Sequence, residues 1–168
     1  VRDADVPNTW HGQEKQDALV FKLLEEKRNG FFVDLAANEP IHLSNTRALE
    51  RDHGWRGLCI DANPRLVERL VVQRTCRVLR AVVASTADQH VEFTLPAEED
   101  SMWTGLGGVL SDKGDHKPRA QAAQASWWAK HLNSHWQVAR YRTSTLEQVL
   151  AHMHTPRVID YLSLDIEG

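Results

Sequence analysis

The chain has 168 residues, of which 42% are hydrophobic and 26% charged, the composition of a globular domain with its own core. Its formal net charge of −3 and scattered basic residues argue against a dedicated nucleic-acid-binding protein. No apolar run approaches the roughly 20 residues of a membrane span, so we expect a soluble protein without membrane insertion. The start, Val1 to Asp5, has no apolar signal core and no initiator Met, which suggests a processed N-terminus and leaves the compartment open.

The first half of the chain predicts helices and strands in alternation. A broad apolar face predicts a helix over 16–27 that Asn29 and Gly30 end, and residues 31–35 are a continuous apolar strand. Such a strand is typical of a sheet covered on both faces. The next predicted elements are a helix from Ser44 to about His53, a strand over 57–61, a helix from Pro64 to about Arg74 and a strand over 76–84. This β-α-β-α-β order predicts an α/β fold with a doubly wound, mostly parallel sheet.

The second half of the chain is less regular. Residues 90–95 alternate in polarity and predict an antiparallel hairpin with residues 137–143. We expect residues 96–143 to form an insertion or lid, which contains a helix over 119–136 and most of the tryptophans. The last predicted elements are a capping box of Ser144 and Glu147, a short helix to about His152 and a strand over 158–166.

The final strand bears on the completeness of the domain. A doubly wound domain needs roughly six strands, and the chain supplies about four parallel strands plus the hairpin. The last strand would therefore be an uncovered apolar edge, which natural proteins avoid. We expect residues 1–168 to form a single partial domain, incomplete at its C-terminus. Either it is a piece of a larger fold, or a protein partner covers the last strand and the tryptophan-rich insertion.

The two cysteines, Cys59 and Cys76, are too few for a disulfide framework and form no CxxC metal pair. The preferred interpretation is two buried thiols. The alternative is one bridge between neighbouring strands, which implies an oxidising compartment. His131 and His135 have the spacing of two metal ligands on a helix, but no third ligand is evident, so we predict surface histidines and no metal site.

Three aspartates each end a predicted strand: Asp34, Asp61 and Asp165. In doubly wound sheets, ligands bind beyond the carboxyl ends of the strands, where the strand order reverses. If the order is 3-2-1-4, Asp34 and Asp165 flank one crevice, and Asp61 lies where a carboxylate accepts hydrogen bonds from ribose hydroxyls. The spacing fits an adenosine-type cofactor, although Asp34 taken alone is also interpreted as a cap of the turn that follows it.

Five segments go beyond this general pattern. They are residues 13–17, 29–38, 43–46, 54–64 and 160–168. The most specific runs are Gly-Trp-Arg-Gly-Leu-Cys-Ile-Asp-Ala-Asn-Pro from Gly54 to Pro64 and the closing Asp-Ile-Glu-Gly from Asp165 to Gly168. In order and spacing they resemble the FkbM-type methyltransferase family, S-adenosylmethionine-dependent enzymes with a class I Rossmann-like fold. The resemblance covers nearly the whole chain and about the N-terminal two thirds of the family domain.

The resemblance implies S-adenosylmethionine as cofactor and a hydroxyl of a carbohydrate or another small molecule as methyl acceptor. The residues it implies for cofactor binding are Asp34, Ala36, Ala37 and Asn38 under the methionine part, Asp61 at the ribose, and Ala81 and Val82 at the adenine. It places Asp165 and Glu167 where the methyl group and the acceptor meet. Methyl transfer requires alignment of the acceptor and removal of its proton, and Asp165, Glu167 and a nearby histidine are alternatives for that base.

The turn after the first strand departs from the family pattern Asp-x-Gly-Ala-x-x-Gly. Ala36 stands where the family has its first glycine, a residue that permits a positive φ. Pro40 stands where the family has its last glycine, and a proline lacks the N–H that could face a cofactor. Two hypotheses therefore stand. The chain is a methyltransferase domain, or it is a non-catalytic methyltransferase-like subunit that serves as a scaffold or interaction module in a larger assembly.

Overall fold

The structure is a computed structural model that describes residues 10–96, 108–110 and 136–166. These residues divide into two compact units. The first contains the described residues up to Arg80 together with Thr155–Ile166, and the second contains those between Ala81 and His154. Among the helices of this described part, none has both the length and the apolar character needed to cross a membrane.

Short helices and strands alternate through the first unit, and strands dominate the second. The helices are α1 (Gln16–Leu23), α2 (Arg47–His53), α3 (Pro64–Gln73) and α4 (Leu146–His152). The strands are β1 (Phe31–Leu35), β2 (Arg56–Asp61), β3 (Arg77–Arg80), β4 (Val82–Val83), β5 (His90–Pro96), β6 (Gly108–Leu110), β7 (Trp136–Ser144) and β8 (Tyr161–Leu164).

The first unit contains a parallel sheet of four strands in the order β3-β2-β1-β8. In its centre, Phe32 of β1 is opposite Gly57 of β2 and Tyr161 of β8. An α/β fold with a parallel central sheet is thereby confirmed, with the first strand between the second and the last as predicted. Because the strands are parallel, the carboxyl ends of β1, β2 and β8 lie at the same edge.

The core of the first unit forms where the sheet meets its helices. Phe32, Leu58 and Ile60 are fully buried, and Leu66 and Leu70 of α3 are buried as well. A Cβ atom on Gly57 would lie 2.3 Å from Cε2 of Phe32, so only glycine fits opposite this ring. The start of α3 follows the sequence signals, because Pro64 is its first residue and the side chain of Asn63 accepts the N–H of Arg65.

Several predicted boundaries are wrong by a few residues. Helix α1 ends at Leu23 instead of Lys27, and Glu25 and Glu26 just beyond it adopt left-handed backbone conformations. The strand predicted over 76–84 is two strands: β3 pairs with β2, whereas β4 pairs with β7 in the second unit. The capping box before α4 consists of Thr145 and Gln148, because Ser144 is still paired with Val83 in the sheet.

The second unit contains a separate mixed sheet in the order β4-β7-β5-β6. The predicted hairpin is confirmed, because β5 and β7 pair antiparallel from His90 opposite Arg142 to Pro96 opposite Trp136. Most of the predicted insertion over 96–143 lies outside the described residues, as do His131 and His135.

Strand β8 has β1 on one side and no described strand on the other. Its side chains Leu162 and Leu164 are 40% and 54% exposed. These two side chains are two residues apart, so they lie on the same exposed face of the sheet. That a protein partner covers this edge stays a prediction.

Cys59 in β2 and Cys76 form a disulfide, with their Cα atoms 6.2 Å apart. The preferred interpretation of two buried thiols is therefore wrong, and the alternative of one bridge holds. The reason lies in strand register: Leu58 is opposite Arg77, so Cys76, one residue before β3, lies beside β2. Both cysteines are buried in the core of the first unit.

We expect the purified protein, unfolded in denaturant without reductant, to take up no alkylating reagent. The Cys76→Ala variant, which leaves Cys59 unpaired, is the matched control and should gain one alkyl group by intact mass. The bridge closes a loop with a sequence separation of 17 residues. Reduction should therefore lower the free energy of unfolding by about 3 kcal/mol. Two alkyl groups on the unreduced wild-type chain would contradict the bridge.

Candidate functional site

A small cleft of about 50 Å³ lies at the carboxyl end of β1, within the first unit. It brings together five of the predicted site residues, Asp34, Ala36, Ala37, Asn38 and Asp165. Sequence reasoning missed six further lining residues: Gln13, Gln16, Glu39, His42, Leu43 and Asn45. Four of them lie in segments 13–17 and 43–46 of the resemblance, which assigned them no role: Gln13, Gln16, Leu43 and Asn45. The parallel bridge between Gly12 and Leu43 joins these two parts of the chain.

The remaining predicted site residues lie elsewhere. Asp61 is buried and does not line the cleft; its carboxylate accepts the N–H of Asn38 at 2.9 Å and that of Asn63 at 2.8 Å. Ala81 and Val82 belong to the second unit, where Val82 pairs with Thr143 in β7. Glu167 lies outside the described residues.

Asp34 is a buried carboxylate, only 2% exposed. Thr46 Oγ1 donates a hydrogen bond of 2.7 Å to its Oδ2, and Ser163 of β8 hydrogen-bonds to the same side chain. Burial raises the pKa of Asp34 above its usual value, while the bond from Thr46 and the nearby charge of Arg74 oppose that shift. Asp34 is thus tied to the start of α2 and to β8 as well as lining the cleft.

The turn after β1 is held in a left-handed conformation. Ala36 has a φ of 59° and Asn38 a φ of 53°. Between them, the N–H of Ala37 donates to the carbonyl of Ile60 at 3.0 Å, so both this bond and the Asp61 carboxylate attach the turn to β2. The φ of Ala36 is the conformation for which a glycine is expected at this position.

Pro40 does not line the cleft. It is fully buried, and its carbonyl accepts a hydrogen bond of 3.3 Å from Arg74 Nη1. The expectation that Pro40 acts by removing a cofactor-facing N–H therefore receives no support from its position. The neighbouring Glu39 shapes this loop, because its Oε2 accepts the N–H groups of Ile41 and His42 at 3.1 and 3.0 Å.

A buried ion pair lies behind the cleft. The side chains of Arg74 and Glu50 are 0% and 2% exposed and form a direct hydrogen bond. Arg74 also donates to Ser44 Oγ at 3.0 Å and to Thr46 Oγ1 at 2.9 Å. Because Thr46 in turn donates to Asp34, one hydroxyl links the buried guanidinium to a cleft carboxylate.

The other oxygen of the Glu50 carboxylate accepts hydrogen bonds from the two residues just before β3. Its Oε1 accepts the N–H of Cys76 at 2.9 Å and hydrogen bonds from the N–H and hydroxyl of Thr75. Burial alone would raise the pKa of Glu50, but the charge of Arg74 and the bonds from Thr75 outweigh it and hold the pKa below 4.5. The Glu50 carboxylate is therefore favoured in its ionised form and is hydrogen-bonded to Arg74, Thr75 and Cys76.

Asn45 has an incomplete set of partners. It is 8% exposed, and its Nδ2 donates to Ser163 Oγ at 3.1 Å. Its Oδ1 is buried and has no hydrogen-bond partner among the residues that the structure describes. In the same part of the chain, no group of three or more His, Cys, Asp or Glu residues is arranged to hold a metal ion.

Replacing Arg74 by Met should cost about 3–5 kcal/mol of unfolding free energy at pH 7, because Glu50 would stay buried without its counter-ion. The pH dependence should also change sign. In the wild type, the lowered pKa of Glu50 contributes stability above the unfolded value near 4.5 that is lost as the pH falls through the folded value. In Arg74→Met, burial raises that pKa, so the deficit should shrink between pH 7 and pH 4. Urea unfolding at both pH values measures this.

The matched control is Arg69→Met, because Arg69 pairs with Glu39 while remaining 43% exposed. We expect it to cost at most about 1 kcal/mol at either pH. Equal losses in the two variants, or a deficit in Arg74→Met that does not change with pH, would contradict the role given to the buried pair.

The turn predicts opposite effects for two neighbouring substitutions. Ala36→Gly removes the strain of a left-handed alanine, which costs the folded state about 1–2 kcal/mol. The glycine also raises the entropy of the unfolded chain, which lowers stability by about 0.4–1 kcal/mol. The net change should therefore be a stabilisation of about 0.5–1 kcal/mol. Ala37 is buried in the core, so Ala37→Gly combines the entropic cost with the loss of a buried methyl group and should destabilise by about 1–2 kcal/mol. Chemical denaturation of both variants measures the difference, and equal destabilisation would show that Ala36 is not strained.

Comparison of the chain with family models, with curated proteins and with solved structures finds no match. The resemblance to FkbM-type methyltransferases therefore depends on the sequence motifs alone.

Proposed function

We propose that the chain is an S-adenosylmethionine-dependent methyltransferase domain that methylates a hydroxyl of a carbohydrate or another small molecule. The observation that carries the proposal is the position of the cleft. It lies at the carboxyl end of β1, beside β8, and contains Asp34 and Asp165. Following the chain, β2 and then β3 are added on one side of β1, and β8 is added on its other side. That reversal is where open α/β sheets bind their ligands.

The same strand order supports the finer part of the fold proposal. We assign the first unit to the doubly wound, class I Rossmann-like arrangement because its four parallel strands follow the order β3-β2-β1-β8. The turn at Ala36 supports the assignment too, since its left-handed backbone is the conformation for which the family motif uses glycine.

The polar groups of the cleft suit the charged end of the cofactor. S-adenosylmethionine carries a positive sulfonium and an ammonium group, and the cleft offers the carboxylates of Asp34 and Asp165 and the unpaired oxygen of Asn45. The volume of about 50 Å³ is well below the roughly 300–1,000 Å³ of a typical small-molecule pocket. One end of the cofactor therefore fits the described cleft, and the rest would extend beyond it.

Each residue then has a distinct task. The cofactor supplies an electrophilic methyl group when bound. Asp165 is exposed at the cleft and can accept the proton of an acceptor hydroxyl, a role for which His42 on the opposite loop is the alternative. Asp61 holds the turn through the N–H of Asn38, and Asp34 contributes negative charge beside β8. Glu167 keeps its proposed place beside Asp165.

The second candidate function is a methyltransferase-like subunit without catalysis. The observation that favours it is the engagement of Asp61: its two carboxylate oxygens already accept the N–H groups of Asn38 and Asn63, and it does not line the cleft. A ribose would have to share those oxygens. The strained Ala36 at the turn points the same way.

Titration calorimetry with S-adenosylmethionine tests the proposal. We expect saturable binding of one ligand per chain, which Asp165→Ala weakens and which Asp88→Ala, a substitution of an exposed carboxylate in the second unit, leaves unchanged. Transfer of a labelled methyl group to a panel of mono- and disaccharides should be lost in Asp165→Ala.

Absence of binding in the wild-type chain would contradict the first candidate. The double variant Ala36→Gly/Pro40→Gly then separates the remaining explanations. Binding that appears only in this variant indicates an enzyme that has lapsed, and absence of binding in both chains indicates a subunit with another role.

A further inference from the structure

The unpaired oxygen of Asn45 points to the chemistry of the ligand. A buried amide oxygen without a hydrogen-bond partner is costly, so native proteins rarely keep one without a bound water or ligand. Asn45 is more than nine-tenths buried, yet it lines the cleft, and its Oδ1 has no partner among the described residues. An acceptor placed there is available to a group that donates a hydrogen bond from within the cleft.

The hydrogen-bond network fixes which end of the amide is free. Ser163 bonds both to Asp34 and to Asn45. Asn45 Nδ2 donates to the Ser163 hydroxyl oxygen. When Asp34 is ionised it can only accept, so the single Ser163 proton then goes to Asp34. Asn45 therefore presents its NH₂ group to Ser163 and leaves Oδ1 free. Thr46, which donates to Asp34 from the other side, holds the carboxylate in place.

The charges of the cleft select among possible donors. Three carboxylates line it, those of Asp34, Glu39 and Asp165, and the described lining contains no Lys or Arg, although Arg69 pairs with Glu39. This negative charge attracts a positively charged group with several N–H donors. A protonated primary amine has both properties.

We propose that Asn45 is a positioning residue whose Oδ1 accepts a hydrogen bond from a protonated primary amine of the ligand, so that the cleft selects ligands by their ammonium group. The proposal deepens the proposed function and rests on it for the identity of the ligand, because S-adenosylmethionine carries such an amine on its methionine part. The interaction is a hydrogen bond from a charged donor, and such bonds are stronger than bonds between neutral groups. Its loss should therefore lower the affinity markedly.

The test compares two ligands that differ in the amine. S-adenosylhomocysteine carries the primary amine, and 5′-methylthioadenosine is a related nucleoside without it. We expect calorimetry on the wild-type protein to show tighter binding of the first, and Asn45→Ala to weaken that binding about tenfold or more while changing the second less than about threefold. Gln73→Ala, a substitution of an exposed residue of α3 that is not among the cleft residues, should leave both affinities unchanged.

A second variant separates recognition from folding. Asn45→Asp keeps an acceptor oxygen and adds a negative charge, so it should retain the preference for the amine-bearing ligand. Circular dichroism melts identify any variant that fails to fold. Equal weakening of both ligands in a folded Asn45→Ala protein, or an unchanged preference for the amine, overturns the proposal.

The amine claim is also tested apart from the nucleoside. The side-chain NH₂ signals of Asn45 are followed by nuclear magnetic resonance during titration with S-methylmethionine and with its analogue that lacks the amino group. A shift with the first ligand only supports the proposal even where neither nucleoside binds, and in that case the proposed function alone fails. No shift with either ligand overturns the proposal.

Discussion

The buried pair of Arg74 and Glu50 is the interaction on which the first unit depends. Two charges withdrawn from water are tolerated only when every donor and acceptor is satisfied, and here they are met by hydroxyls, a carbonyl and backbone N–H groups. Glu50 belongs to α2 and Arg74 caps α3, while their partners lie in the loop before α2 and in the residues just before β3. The pair thereby connects these segments through side-chain hydrogen bonds.

The geometry of the cleft follows from this arrangement and from the parallel sheet. The sheet brings the ends of β1 and β8 to one edge, which places Asp34 beside Ser163. Thr46 connects Arg74 to Asp34, because its hydroxyl accepts a hydrogen bond from Arg74 and donates one to Asp34. On the far side, Asp61 holds the turn after β1. Hydrogen bonds therefore hold both Asp34 and the turn after β1 in place, as a site that must align a ligand requires.

Much of the fold was predictable because its signals are local or follow from connectivity. Signals a few residues long specify single elements, such as the apolar run of β1, Pro64 at the start of α3 and Gly54 at the end of α2. The alternation of helices and strands along the chain predicts that the strands are parallel. For the site, Asp34 and Asp165 were predicted because they end predicted strands, and Ala36–Asn38 were predicted from the resemblance. Arg74 and Glu50 were not predicted, because they lie 24 residues apart and no local pattern marks such a pair. Asn45 was quoted as part of a motif, but its unpaired oxygen is visible only once β8 lies beside β1.

We propose that the cleft at the carboxyl ends of β1 and β8 binds S-adenosylmethionine. Backbone amide chemical shifts mapped during titration with the cofactor report where it binds as well as whether it binds. We expect saturable shifts at Ala36–Asn38, Asn45 and Asp165, with the amides of α4 unchanged. Saturation without shifts at these residues, or no response at any concentration, would contradict it.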